Sequence, residues 1–417
     1  MFPFLRKITT FGIAMLVSAS AQAIQFDGFF TVGAAIHDDD TNKDNPAAGG
    51  FENRYIGSLG DRGITTDLTF ETDTRFGLQI SSEVSDKMSV VAQLLGRGTI
   101  SNFDAIVEWA YADYEFADWI SLRAGKIKQP VYLVNDYVEV GYAYPWIRPP
   151  VEVYYLNNPL NTVNGAELLI AFPVGPGTLS FQPYIGSNRD DIPNTGGQAF
   201  FEAENIVGID VKYSGRGYTV HASNFQCDVN TFGSLSGVPT ADPATTFDID
   251  LNGKGECDVT SAGLTFDVAN VVVYAEWQER TTTDTLSRPF GDQEAWYATL
   301  GYRFGKWLPH ITYATIDGKA STEQPGAVCP TGQTCPPTPS FNFPISIQSS
   351  VTAGLRYEVN DSAALKFEYA MVDVENDPNE LAEANQFTNF GLFDTSFALA
   401  PPSDTVGVYS IALDVIF

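Results

Sequence analysis

Arg75, Arg97 and Arg123 fall on the polar side of segments in which apolar and polar residues alternate, and Asp136, Glu139 and Glu152 follow in a long polar stretch. Such groups turn nothing over by themselves. Facing each other across water, guanidinium and carboxylate groups set up a transverse field that sorts passing solutes by size and sign. Any one of these residues is as well read as a solvated wall or loop charge, so the expectation rests on the group. Catalytic sets are harder to find. No H-E-x-x-H or G-x-S-x-G occurs, so metal-assisted and nucleophilic hydrolysis have no motif to rest on. His37, His221 and His310 are far apart in the chain. His221 and His310 lie on inward faces of alternating segments and are expected to be wetted. No enzyme activity and no cofactor are expected.

Four cysteines, Cys227, Cys257, Cys329 and Cys335, divide into two pairs, each within one predicted loop. In an oxidising compartment these are natural disulfide pairings, 227 with 257 and 329 with 335. No histidine lies near either pair and no C-x-x-C occurs, which disfavours a metal site. Loop staples are the expectation.

The elements that must position these groups repeat with period two. Tyr409, Ile411, Leu413, Val415 and Phe417 share one face, with Ser410, Ala412 and Asp414 on the other. Trp296, Ala298, Leu300, Tyr302 and Phe304 likewise oppose Tyr297, Thr299, Gly301 and Arg303. This alternation predicts sixteen strands, near 24–37, 68–83, 88–97, 104–116, 119–126, 164–173, 178–187, 201–213, 217–226, 259–268, 271–281, 293–304, 307–316, 348–359, 362–375 and 405–417. Tight turns such as Ser85-Asp86-Lys87, Gly175-Pro176-Gly177 and Ala269-Asn270 alternate with long polar connections. That asymmetry suits an up-and-down barrel with short turns on one side of a membrane and long loops on the other. An even strand count lets the first and last strands pair and close the cylinder. Trp119, Trp277, Trp296 and Trp307 suit interfacial girdles.

Composition and address agree. Aromatic content of 13% with 18% charged residues and 36 glycines favours β-structure with many turns. Arg6 and Lys7, an apolar run from Phe11 to Val17 and Ala21-Gln22-Ala23 form a signal peptide over 1–23, so the mature chain is expected to be 24–417. Losing Arg6 and Lys7 moves the net charge from −28 to −30, which disfavours nucleic acid as a partner. No later segment has the roughly 18 apolar residues of a spanning helix. An exported chain of this kind is released, kept in the periplasm, or inserted as a closed barrel, the β-form that satisfies every backbone polar group in lipid.

Ile24-Gln25-Phe26-Asp27-Gly28, Thr74-Arg75-Phe76-Gly77-Leu78, Ser121-Leu122-Arg123-Ala124-Gly125-Lys126 and the terminal Phe417 resemble the general diffusion porins of Gram-negative bacteria, over essentially the whole mature chain. The resemblance implies an all-β, 16-stranded antiparallel transmembrane barrel in outer-membrane lipid, usually a homotrimer, with the third extracellular loop folded inward. It further implies that Tyr409, Ile411, Leu413, Val415 and Phe417 form the signal read by the barrel-insertion machinery. In place of the Pro-Glu-Phe-Gly-Gly-type motif of many porins, the third loop reads Gln129-Pro130-Val131-Tyr132 and later Tyr144-Pro145-Trp146-Ile147-Arg148-Pro149-Pro150. The expected function is passive diffusion of small hydrophilic solutes and ions, between Arg75, Arg97 and Arg123 on the basic side and Asp136, Glu139 and Glu152 on the acidic loop side. One alternative is a channel specific for phosphate, a sugar or a small organic acid, with Tyr132, Tyr137, Tyr142, Tyr144 and Trp146 as an aromatic slide. Another is a secreted β-rich binding or surface protein without a pore.

Overall fold

The structure, a computed structural model, describes residues 24–41, 54–55, 63–98, 103–154, 160–191, 199–239, 246–250, 252–283, 286, 291–319, 327–328, 347–375, 392–394 and 403–417. The signal segment and the pair Cys329 and Cys335 lie outside them.

Sixteen long strands run β1 Gln25–His37, β2 Arg75–Ser85, β3 Met88–Gly98, β4 Phe103–Ala117, β5 Ile120–Lys128, β6 Thr162–Val174, β7 Gly177–Asp191, β8 Ala199–Gly215, β9 Tyr218–Pro239, β10 Gly253–Val268, β11 Val271–Thr282, β12 Asp292–Tyr302, β13 Trp307–Lys319, β14 Ile347–Asn360, β15 Ala363–Val374 and β16 Thr405–Ile416. Each pairs antiparallel with its sequence neighbour, and β1 pairs with β16 from Phe29↔Ile416 to His37↔Val408. Gly28 and Phe417 exchange both backbone hydrogen bonds at 2.8 and 2.9 Å, sealing the join. The cylinder is closed, as the alternation and even count require, and no sheet edge faces lipid. Short ladders decorate the loop side: Arg54–Tyr55 pairs with Phe393–Asp394, and Thr246–Asp250 bridges β9 to Ala327–Val328.

β12 shows why the sequence closes this way round. Its burial alternates strictly from Asp292 to Tyr302. Trp296, Leu300, Tyr302 and Phe304 point outward, with Leu300 58% and Phe304 60% exposed. Ala295, Tyr297 and Thr299 point inward and are buried. At about 3.4 Å per residue and a tilt near 40°, the stretch from Trp296 to Phe304 spans roughly 20 Å of membrane normal, close to the apolar band of an outer-membrane barrel. Trp119, Trp296 and Trp307 are exposed on that outer surface, and Trp277 pairs with Trp296 across β11 and β12.

Three expectations are corrected. The second strand begins at Arg75, not near 68, because the chain turns over Glu71–Asp73 and carries the Asp73 carboxylate inward onto Arg148. Cys227 and Cys257 are joined by a 2.00 Å S–S bond, but they sit opposite each other on paired strands, not in a loop. β9 and β10 stand taller than the alternation indicated, because their polarity inverts. Phe225, Cys227 and Val229 are buried inward, while Asn224 and Gln226 bond Asp258 at 2.8 and 2.7 Å on the other face. Polar outward residues beyond the lipid look like loop when lipid-facing residues are expected to be apolar.

The turn between β10 and β11 uses Ala269 and Asn270 at φ 51° and 75°. Two positive φ values are what a two-residue hairpin needs, and alanine tolerates that region poorly. Ala269→Gly is expected to raise stability by about 1 kcal/mol. Urea titration of the refolded barrel checks this, and an unchanged or lower midpoint contradicts it.

Candidate functional site

The described residues of the third long connection, 129–154 and 160–161, form no sheet with the wall that surrounds them, so backbone groups not used in the connection's own turns must find side-chain partners. They find them on inward faces over most of the circumference. Ser223 on β9 and Ser261 on β10 both donate to Val131 O. Glu276 on β11 accepts from Leu133 N at 2.8 Å and from Tyr154 Oη. Trp146 Nε1 donates to Thr299 on β12 at 3.0 Å and Thr312 on β13 at 3.1 Å. Arg356 on β14 donates to the carbonyls of Tyr142 and Tyr144 at 2.6 and 2.7 Å. Lys366 on β15 donates to those of Gly141 and Trp146, with Asp414 on β16 as its 2.8 Å ion partner. Glu368 accepts from Ile147 N, and Arg148 reaches Ser410 and Asp73. Arg75 on β2 donates to Glu139 O at 2.9 Å and Tyr144 Oη at 2.8 Å.

Apolar packing follows the same course. Val131, Tyr132, Leu133, Val134, Tyr144 and Trp146 form one buried cluster with Ile127, Val163 and Tyr184 of β5–β7 and the inner walls of β8–β13. A second cluster joins Val151 to Tyr55, Ile64 and Leu392 of other connections and to β15 and β16. The expected aromatic slide is therefore absent as a set. Tyr132, Tyr144 and Trp146 are buried, and only Tyr137 and Tyr142 keep partial exposure.

On the opposite side of the lumen, along β3–β7, Glu108, Lys128 and Glu167 are buried, but Arg97, Asp113 and Arg123 stay partly open to water. Arg97 on β3 is 3.6 Å from Glu139. Arg123 on β5 lies between Asp113 at 2.8 Å and Glu167 at 3.5 Å, with its guanidinium 5.0 Å from the Tyr111 ring centroid. Asp136 is exposed at the head of the turn Asn135–Tyr137. Arg75 and Arg97 thus meet Glu139 directly, with no gap between opposed walls. Arg75 is buried as an anchor of the connection. Glu152 does not join them: it is 1% exposed, on the helical turn Val151–Tyr154, and accepts from Gln348 Nε2 at 3.0 Å.

The histidines are inward but not wetted. His221 is buried between Asp210 at 3.1 Å and Glu276 at 3.3 Å, and His310 is buried 3.9 Å from Glu368. Glu276 is a structural residue that sequence reasoning missed, and so is its pairing with His221. Their adjacency depends on β9 and β11 flanking β10, which no local pattern encodes. On the last strand, Tyr409, Ile411, Leu413 and Phe417 point outward and exposed, with Val415 partly covered.

A closed barrel with an apolar exterior and a loop bonded across its interior is an outer-membrane channel. Residues 10–377 match the family described as Gram-negative porin, and the chain belongs to that family, which sets aside both the secreted-protein and enzyme readings. A loop-deletion form of the outer membrane protein OmpT of Vibrio cholerae is structurally similar, with TM-score 0.57 and 12% identity over 95% of this chain and all of that one. The trimer form of the same Vibrio protein gives TM-score 0.55, 12% identity and the same coverage. An anion-selective porin from Comamonas acidovorans gives TM-score 0.54 and 13% identity over 95% of this chain and all of that one. No curated protein matches the sequence.

Burial raises the pKa of Glu152 above its ordinary value, and hydrogen bonds from Ser350 and Gln348 oppose the rise only in part. A carboxyl raised in the folded state costs stability as pH climbs from its unfolded value through its folded one. Glu152→Gln is therefore expected to raise the temperature at which the folded gel band is lost at pH 7, with the gain shrinking toward about pH 4, near the unfolded glutamate value. A loss of stability at pH 7 would show that the ionised carboxylate is needed.

Proposed function

We propose that small hydrophilic solutes and ions diffuse passively along an off-centre aqueous path between the third connection and the β3–β7 wall. The observation that carries this reading is where charged side chains stay wet. The connection's bonds to β9–β16 and β2 bury the wall charges there, and its apolar cluster runs on to Ile127, Val163 and Tyr184 of β5–β7, whereas Arg97, Arg123, Asp113 and Asp136 keep water access. The path is lined by Asp113, Asp136 and Glu139 against Arg97 and Arg123. Every arginine in that set has a carboxylate within 4 Å, so the surplus charge is acidic and a weak cation preference follows. Charges this close to the path act within the roughly 8 Å screening length of physiological salt.

The same reading covers assembly. Residues 1–23 direct export and leave a mature chain from Ile24. The outward aromatic and aliphatic row from Tyr409 to Phe417 addresses the insertion machinery. A homotrimer is the proposed state, supported by the trimer form of the similar Vibrio protein.

Asp136→Lys and Arg123→Glu test the path. In planar bilayers under a potassium chloride gradient, the first is expected to move the reversal potential toward anions and the second further toward cations. Wild-type potentials in both variants would mean that ions pass elsewhere.

A further inference from the structure

Two glutamates of the inner wall accept backbone amides of the third connection, and each is met by a histidine from two strands away. In the first row His221 of β9 is the register partner of Gly263 on β10, and Gly263 of Glu276 on β11. In the second, His310 of β13 is the partner of Gly354 on β14, and Gly354 of Glu368 on β15. The imidazole can cross the middle strand because that strand carries no side chain there. A Cβ on Gly263 would lie 3.0 Å from His221 Nε2, and one on Gly354 would run into the His310 ring. Each Nε2 faces the Oε1 of its glutamate, at 3.3 Å in the first row and 3.9 Å in the second. The same Oε1 accepts from the connection: Leu133 N at 2.8 Å on Glu276, and Ile147 N at 2.9 Å on Glu368.

A free glutamate side chain samples many rotamers, and fixing it for one amide costs entropy. An imidazole packed on the accepting oxygen limits the carboxyl to the rotamer that reaches that amide, so the acceptor is preorganised. Arg75, Arg356 and Lys366 hold carbonyls of the connection, whereas the two rows hold its N–H groups. Leu133 and Ile147 bracket the segment that carries Asp136 and Glu139, the loop-side acids of the path. We propose that His221 and His310 are positioning residues for the passage. Through Glu276 and Glu368 they clamp residues 133–147 at both ends and so hold Asp136 and Glu139 in place along the path. The inference rests on the diffusion path argued above, and adds what keeps that path open.

Brief closures of the open channel, recorded from the purified mature protein in planar bilayers, test the clamps. His221→Leu removes both ring nitrogens, and Gly354→Ala drives the His310 ring off Glu368. Each is expected to raise the closure frequency about ten-fold, the loss of one bond to a charged group. His221→Gln still carries an N–H donor and is expected to lie nearer the wild type than His221→Leu. The double variant Gly354→Ala/His310→Ala has room for the added methyl but no imidazole, and is expected to close as often as Gly354→Ala alone. Wild-type gating in that double variant would mean a local clash and overturns the clamp. Heat-modifiable gel migration confirms folding, and His310→Ala decides the second row if Gly354→Ala does not fold. A lower temperature of band loss with wild-type closures in every folded variant would make the histidines packing residues only, and also overturns the proposal. Absence of ion conductance in the wild type would instead overturn the diffusion path.

Discussion

The structure depends on how a non-repetitive segment is kept inside a barrel. A strand satisfies its backbone through its neighbours, but the described residues 129–154 have no such ladder, and unpaired carbonyls in a confined lumen are costly. The wall answers with long, charged donors. Arg356 takes two carbonyls and Lys366 another two. Arg75 takes the carbonyl of Glu139, while Glu276 and Glu368 accept from Leu133 and Ile147 amides. Those ions are themselves out of water, so each must be compensated. Asp414 stands 2.8 Å from Lys366 and in turn accepts from Thr31 at 2.7 Å. The charged inner wall of β14–β16 is therefore a scaffold for the loop before it is anything a solute meets.

This arrangement changes what a lumen arginine means. Read from alternation, Arg75, Arg97 and Arg123 are three equivalent basic rungs. In the folded chain Arg75 is spent on holding Glu139 and Tyr144, Arg97 shares Glu139, and Arg123 lies between two carboxylates over an aromatic face. Only the last two are placed where a passing ion could feel them. The field along the path is that of closely paired charges with an acidic remainder, which is weaker and shorter in range than that of two opposed walls.

Legibility follows the same division between local and long-range causes. Period-two alternation located all sixteen long strands, because lipid on one side and a polar lumen on the other impose that pattern on every residue of a spanning segment. It failed where the imposing solvent changed. Above the lipid, Asn224, Gln226 and Asp258 face outward into polar surroundings while Phe225 and Val229 face inward, and the inverted pattern reads as loop. At Leu68 and Phe70 the pattern persisted although the strand did not, since Thr69 still bridges Ala35 before the chain turns. The site was less legible. Glu139 and Glu152 are both loop acids near aromatics in sequence, yet one meets two arginines and the other is sealed against Gln348. Their difference is set by which strand the loop happens to reach, and spacing along the chain carries no record of that.

A large apolar cluster inside a pore raises the question of whether any pore is left. A plug that filled the cross-section would leave every inward polar side chain dry. The described residues are not arranged so. The cluster built on Val131, Tyr132 and Trp146 is continuous with the inner walls of β8–β13 and with Ile127, Val163 and Tyr184, while Arg97, Asp113 and Arg123 of β3–β5 retain 28%, 21% and 31% side-chain exposure. These three groups remain hydrated where buried ones would need partners on every side, which is what the proposed route past the loop requires. The apolar mass therefore acts as a wall. It packs the loop against the barrel, and the proposed passage is bounded by Asp136 on the loop side and by Asp113 and Arg123 on the wall.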